Sequence, residues 1–147
     1  MRLSTYIESD SFQIGIIASD PVPLWDERSL EKGIAISATG LLLATYPDLD
    51  FRKRSIAVTA LDADDFMTPE EEKFYSFIGK ALLKSPHRTL DVGCIPTICD
   101  GTSGRLKFDS EKIKVEIYGD TKHEPTKIIL RFPESHVINV WANRGEA

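Results

Sequence analysis

The side chains most able to do chemistry in this chain are carboxylates gathered in one short stretch. Between positions 62 and 72 there is no Lys or Arg, and the acidic residues there are Asp62, Asp64, Asp65, Glu70, Glu71 and Glu72. The first three could bind Mg²⁺ or Ca²⁺, although their spacing lacks the central Gly and the final Glu of a calcium loop. A solvated loop before the helix is the favoured interpretation, followed by a surface that steers and orients a basic protein partner.

Other candidate groups give weaker patterns. His87, His123 and His136 are far apart in the sequence, and none of them forms an i, i+4 pair. Cys94 and Cys99 lack the second pair of ligands that a structural zinc site needs, so we expect free thiols, with a disulfide or redox pair as the alternative. No Ser, Cys or His pattern selects a nucleophile and its base. We therefore predict no catalytic residue, no metal and no cofactor.

The excess of acidic charge in the chain is concentrated in this one stretch. There are 18 basic and 23 acidic side chains, for a net charge of −5, and the chain outside the acidic stretch is close to neutral. Proteins bind a phosphate backbone through Lys and Arg that displace counterions, so this stretch argues against nucleic acid as a direct partner. The basic triplet Arg52-Lys53-Arg54 is too short for such a footprint. We expect a basic protein partner instead.

Length and composition are those of one globular domain, spanning 1–147. The chain is 41% hydrophobic and 28% charged, which excludes fibrous and disordered classes. Its longest mainly apolar stretch, Ile34–Ala44, is far shorter than the ~20 residues that cross a bilayer. The N-terminal stretch Met1–Ser11 contains Glu8 and Asp10 and does not fit a secretory signal. These features predict a cytoplasmic protein without a membrane partner.

Most of the chain has the pattern of β-strands. In Lys112–Tyr118 the residues Ile113, Val115 and Ile117 fall on one face, as a strand with one solvated side requires. Turn-forming residues at short intervals favour an antiparallel two-sheet β-sandwich over βαβ units. The predicted strand segments are Phe12–Ala18, Ile34–Tyr46, Ser55–Leu61, Arg105–Phe108, Lys112–Tyr118, Lys127–Phe132 and His136–Ala142.

One segment has a helical period. Thr68 can act as the N-cap, with Pro69 at the first helical position and Glu71 at the third, which makes a capping box. Apolar residues then recur at three- and four-residue spacing, namely Phe74, Phe77, Ile78, Ala81 and Leu82. The pattern predicts one α-helix that ends near Ser85, forming a helical insertion at about 66–86 that packs on the sandwich.

A second, shorter helical turn is predicted at Trp25–Lys32, closed by Gly33 as its C-terminal cap. The order Trp25-Asp26-Glu27, Leu30-Glu31-Lys32-Gly33 and then Gly40 resembles the competence protein J family, inhibitors of the DNA-entry nuclease. The C-terminal strands are similar in type, with Phe132-Pro133 before a turn and Trp141 in the closing strand. The resemblance implies a small non-catalytic, β-rich bacterial protein that binds a nuclease and blocks it.

The sequence thus favours an inhibitor or immunity-type binding protein whose partner is a nuclease or toxin. We predict the six carboxylates of the acidic stretch as its contact surface, with Asp26 and Glu27 as a second acidic contact group. Trp25 and Trp141 are expected in the core, with a contact role as the alternative. A divalent-metal-dependent enzyme and a small-molecule-binding β-sandwich module remain the alternative functions. The sequence leaves the identity of the partner and the oligomeric state open.

Overall fold

The computed structural model describes residues 1–9, 13–19, 21–45, 54–93 and 103–143. Cys94, Cys99, Arg52 and Lys53 lie outside these ranges. The helices in the described part are α1 (Glu27–Lys32) and α2 (Pro69–Phe74). The strands there are β1 (Arg2–Ser9), β2 (Gln13–Ile17), β3 (Ile34–Ile36), β4 (Gly40–Ala44), β5 (Arg54–Leu61), β6 (Ser76–Lys84), β7 (Thr89–Gly93), β8 (Ser103–Phe108), β9 (Lys112–Gly119), β10 (Lys127–Arg131) and β11 (Val137–Asn143).

These strands form two sheets, which confirms the predicted mainly-β, two-sheet architecture. One sheet has five strands in the order β1-β5-β10-β9-β6, and the other has six in the order β11-β8-β7-β2-β4-β3. Neighbouring strands are antiparallel except that β10 runs parallel to β5, among the pairs that the described residues form. Ile113, Val115 and Ile117 are each 0% exposed and lie in the core between the sheets, as their alternation predicts.

The long predicted helix is wrong beyond residue 74. Residues 76–84 form strand β6, which pairs antiparallel with β9. Ala81 and Leu83 are buried, whereas Leu82 and Phe77 are 55% and 48% exposed, so the predicted apolar stripe does not exist. The spacing of the apolar residues in the second half of this segment fits the period of two of a strand as well as the period of 3.6 of a helix. Pairing with β9 selects the strand, because tertiary contacts override local helical preference.

Both helix starts follow their local sequence signals. In α2 the Thr68 hydroxyl accepts a hydrogen bond from the Glu71 backbone N–H, and the Glu71 carboxylate accepts one from the Thr68 backbone N–H. In α1 the N-cap is Asp26, and Gly33 closes the helix with a φ of 77°, a left-handed conformation that suits Gly. The predicted short helix and its Gly33 cap are confirmed, but the helix begins at Glu27 and not at Trp25. No helix within the described ranges is long and apolar enough to cross a membrane.

Other differences concern strand boundaries. The segment predicted as one strand at Ile34–Tyr46 is a hairpin of β3 and β4, closed by a hydrogen bond of 2.9 Å from the Ser37 N–H to the Gly40 carbonyl. Strands β1 and β7 were not predicted.

Trp25 is half-buried against the core residues of the six-stranded sheet, and its Nε1 donates to Gln13 Oε1 at 2.6 Å, consistent with the expected packing role.

Candidate functional site

The acidic stretch lies on the connection between β5 and β6, residues 62–75, which we call the crossover. Strands β10 and β9 separate β5 from β6, so the crossover must pass over one face of the five-stranded sheet. The crossover passes over the outer face of this sheet. On that face Tyr118 of β9 and Arg131 of β10 point away from the core and lie against the crossover. Ile129 also points outward from β10 and is 0% exposed.

Asp62 does not lie on the surface where we predicted it. Its side chain is 3% exposed, and its Oδ1 lies 2.6 Å from the amino group of Met1. The backbone N–H groups of Asp64 and Val137 each donate to its carboxylate at 3.1 Å. Burial disfavours its charged form, yet these donors hold the pKa of Asp62 below its ordinary value. Asp62 therefore fixes the start of the crossover and is buried, not open to solvent.

Asp64 and Asp65 remain accessible to different degrees. Asp65 is 35% exposed and lies 2.8 Å from the Met1 amino group, which it shares with Asp62. Asp64 is 70% exposed, and its Oδ1 lies 3.2 Å from Nε2 of His136. The Nδ1 atom of His136 is 3.0 Å from Asp109 Oδ2, so the imidazole lies between two carboxylates. The hydrogen bond to Asp109 and the charge of Asp64 raise the pKa of His136.

Glu71 of the crossover forms an ion pair with a residue of β1, the edge strand of the five-stranded sheet that lies opposite β6. Arg2 of β1 donates through Nη1 and Nη2 to the two carboxylate oxygens of Glu71, at 2.8 and 2.7 Å. This pairing, aided by the hydrogen bond from Thr68, lowers the pKa of Glu71 to about 2. A bidentate Arg–carboxylate pair fixes both direction and distance. Glu71 thus holds helix α2 on the sheet and contributes little negative charge to solvent.

The side chains of Glu70 and Glu72, two positions apart in α2, are both exposed. No described residue forms an ion pair with either of them, so both present their full charge to solvent. Asp26 and Glu27 are exposed as well, but they belong to α1, which packs beside β3 of the other sheet. The Ser29 backbone N–H lowers the pKa of Asp26 because that carboxylate caps the helix. The structure therefore gathers the first acidic group on the crossover and holds the second on a separate element.

The acidic stretch is not arranged around a cation. Among the described residues no group of three or more His, Cys, Asp or Glu side chains could hold a metal ion. The physical reason is that its carboxylates diverge: Asp62 points inward to backbone donors, and Glu71 points to Arg2. His136 occupies its two nitrogens with Asp64 and Asp109, so neither nitrogen is open to a ligand.

Sequence reasoning missed several residues of this surface. Phe66 is 70% exposed and Phe74 is 55% exposed, both on the crossover. The signal that could have found Phe66 is an apolar side chain inside a charged stretch, where no period places it in a core. Arg2 and His136 gave no local signal, because folding brings them to the crossover from distant positions in the sequence.

Comparison with known proteins identifies a similar fold. The crystal structure of ComJ, the inhibitor of the DNA-degrading activity of NucA from Bacillus subtilis, matches with a TM-score of 0.54 and 14% sequence identity. The match covers 88% of this chain and 93% of that chain. A scan against protein-family models and a search among curated proteins gave no match to the sequence. The structural match confirms, at the level of the fold, the resemblance carried by the sequence motifs.

Proposed function

We propose that this chain is a non-catalytic inhibitor or immunity-type protein that binds a nuclease or toxin and blocks it. The observation that carries the proposal is the fold shared with ComJ, a protein described as an inhibitor of the DNA-degrading activity of NucA, over 88% of this chain. A fold alone does not define a function. The charge and exposure of the crossover supply the second line of support.

The carboxylates that can reach a partner are a subset of the acidic stretch. Asp64, Glu70 and Glu72 are exposed, whereas Asp65 and Glu71 are paired with Met1 and Arg2. A nuclease binds its substrate through cationic groups that face the phosphates. Carboxylates presented there in a fixed arrangement attract the same cations, raise the rate of association and exclude DNA. Asp26 and Glu27 on α1 are a second group that we propose to contact the same partner.

The crossover is well anchored for such a role. Its first residue, Asp62, accepts a hydrogen bond from the Val137 N–H, and Arg2 holds its helix through Glu71. The capping box of Thr68 and Glu71 fixes the start of that helix. Binding a partner then costs little conformational entropy, because the contact surface is ordered beforehand.

The direct test combines capture with an activity assay. The purified chain, immobilised on beads, is incubated with an extract of the source organism, and DNA degradation by the eluate is measured with and without added soluble chain. We expect a nuclease or toxin in the eluate whose activity falls to a low plateau near equimolar chain. Beads that carry an unrelated protein of the same net charge are the control. Retention of no such enzyme, or retention without inhibition, would overturn the proposal.

A further inference from the structure

A small cavity opens on the outer face of the five-stranded sheet, between the crossover and strands β9 and β10. Its volume is about 170 Å³, and its lining residues are Phe66, Met67, Glu72, Tyr75, Tyr118 and Arg131. Two tyrosines, a phenylalanine and a methionine provide apolar walls, and Glu72 provides a carboxylate. The chemistry of the cavity therefore depends on which of its two charged residues is available to a ligand.

Arg131 is already neutralised within the sheet. Its Nη1 donates to Glu116 Oε1 at 2.9 Å, and the Tyr118 hydroxyl donates to the same oxygen at 3.3 Å. Glu72, in contrast, is exposed and forms no ion pair with any described residue. The cavity thus carries one uncompensated negative charge beside its aromatic walls.

The aromatic walls suit a cation. Burial and the nearby charge of Glu71 raise the pKa of Tyr75, and burial and the charge of Glu116 raise that of Tyr118, so both phenols stay neutral in a negative field. The face of a neutral aromatic ring attracts ammonium and guanidinium groups. The same surface already shows one such contact, since Lys127 Nζ lies 5.7 Å from the ring centroid of Phe74.

Exposed aromatic side chains line the cavity or contact its lining residues. Phe66, Phe74 and Phe77 are 70%, 55% and 48% exposed, and the Phe77 ring lies 5.5 Å from that of Tyr118. An apolar rim around a small pocket is the usual setting of an interface residue that contributes most of the binding energy. Exposed apolar side chains on one surface are typical of a contact with another macromolecule.

We propose that this cavity receives one arginine side chain of the protein partner, with the guanidinium at the carboxylate of Glu72 and against the rings of Tyr75 and Tyr118. Arginine fits better than lysine, because its planar group stacks on aromatic rings while it donates two parallel hydrogen bonds to a carboxylate. This inference rests on the proposed function and adds to it an anchoring point with a defined chemistry.

The test uses small probes and needs no partner. The chain, with its tyrosines labelled with ¹³C, is titrated with N-acetyl-arginine amide, and aromatic chemical shifts are followed by NMR. We expect saturable shifts of the Tyr75 and Tyr118 signals, and about a tenfold weaker affinity in Glu72→Gln, since a charged hydrogen-bond partner is lost. Glu111→Gln, an exposed carboxylate that directly precedes β9 and lies outside the proposed contact surface, is the matched control and should bind like the unaltered chain.

The other outcomes separate this inference from the proposed function. Saturation by N-acetyl-leucine amide with no preference for the arginine probe would show an apolar pocket and overturn the arginine assignment, as would no binding of either probe. A chain that inhibits a captured nuclease but does not bind the arginine probe overturns the cavity proposal alone. A chain that binds the probe but inhibits no nuclease overturns the proposed function and leaves the cavity assignment standing.

Discussion

Asp62 and Val137 are 75 positions apart, and a hydrogen bond of 3.1 Å from the Val137 N–H to Asp62 Oδ2 joins them. Asp62 follows the last residue of β5 in the five-stranded sheet, and Val137 begins β11 in the six-stranded sheet. One carboxylate thus ties the two sheets together at the point where the crossover begins. The acidic stretch therefore contains residues that stabilise the fold beside residues that are open to solvent, and substitutions can separate the two roles.

Replacing Asp62 by Asn should destabilise the protein. The amide keeps the size of the side chain but removes the charge that its donors satisfy, and loss of such hydrogen bonds costs about 1.5–3 kcal/mol. Asp64→Asn changes a side chain that is 70% exposed and should shift the free energy of unfolding by less than about 0.5 kcal/mol. Urea unfolding of both variants measures the difference, and equal destabilisation would contradict the anchoring role.

Leu82 and Leu83 test whether residues 76–84 are a strand. Leu83 is 0% exposed and Leu82 is 55% exposed, as alternation in β6 requires. Leu83→Ala should cost about 2–5 kcal/mol, because it removes buried methyl groups and leaves a cavity. Leu82→Ala should cost less than about 0.5 kcal/mol. Thermal and urea unfolding compare the two variants, and a larger loss for Leu82 would support the helix instead.

The Glu71 carboxylate predicts a pH-dependent contribution to stability. Its pKa is about 2 in the folded chain against an ordinary value of 4.5, so its charge stabilises the fold above pH 4.5 and does so progressively less as the pH falls towards 2. Glu71→Gln keeps the capping geometry and removes the charge. We expect it to cost about 1 kcal/mol at pH 7 and almost nothing near pH 2.

The free energy of unfolding, measured by urea titration at several pH values, checks this expectation. Glu70→Gln is the control, because Glu70 has no ion pair among the described residues and its replacement should change stability little at any pH. A cost of Glu71→Gln that stays constant from pH 7 to pH 2 would rule out the pairing with Arg2.

His136 should titrate above its ordinary pKa of 6.5. Because its folded pKa is raised, its contribution to stability is complete below about pH 6.5 and is lost as the pH rises through the folded pKa. An NMR titration of the imidazole measures this pKa directly. Asp109→Asn and Asp64→Asn should each lower it, with the larger effect from Asp109, and an unchanged pKa in both variants would contradict the observed contacts.

The parts of the fold that depend on neighbours in sequence could be predicted. The capping box at Thr68 and the left-handed Gly33 involve residues three or four positions apart. The start of α2 and the end of α1 lie where these two signals place them. The alternation of Ile113, Val115 and Ile117 likewise identified β9 and its buried face. Strand β6 was missed because its apolar residues fit two periods, and only pairing with β9 decides between them.

The negative charge of the candidate site could be predicted from the sequence, but the solvent exposure of its individual carboxylates could not. Six carboxylates within eleven positions reveal a negative stretch in any fold. Which of them face solvent depends on Arg2, which pairs with Glu71, and on Val137, which pairs with Asp62. Neither partner is near the stretch in sequence, so no local pattern could assign the roles.

The proposed function depends most directly on Asp64, Glu70 and Glu72. The decisive measurement is DNA degradation by the captured nuclease at increasing concentrations of the unaltered chain and of the Asp64→Asn, Glu70→Gln, Glu72→Gln variant, at low and at high salt. We expect complete inhibition by the unaltered chain and at least about tenfold weaker inhibition by the variant at low salt, with the difference becoming smaller as salt screens the charges. Equal inhibition by both chains at low salt would contradict this expectation.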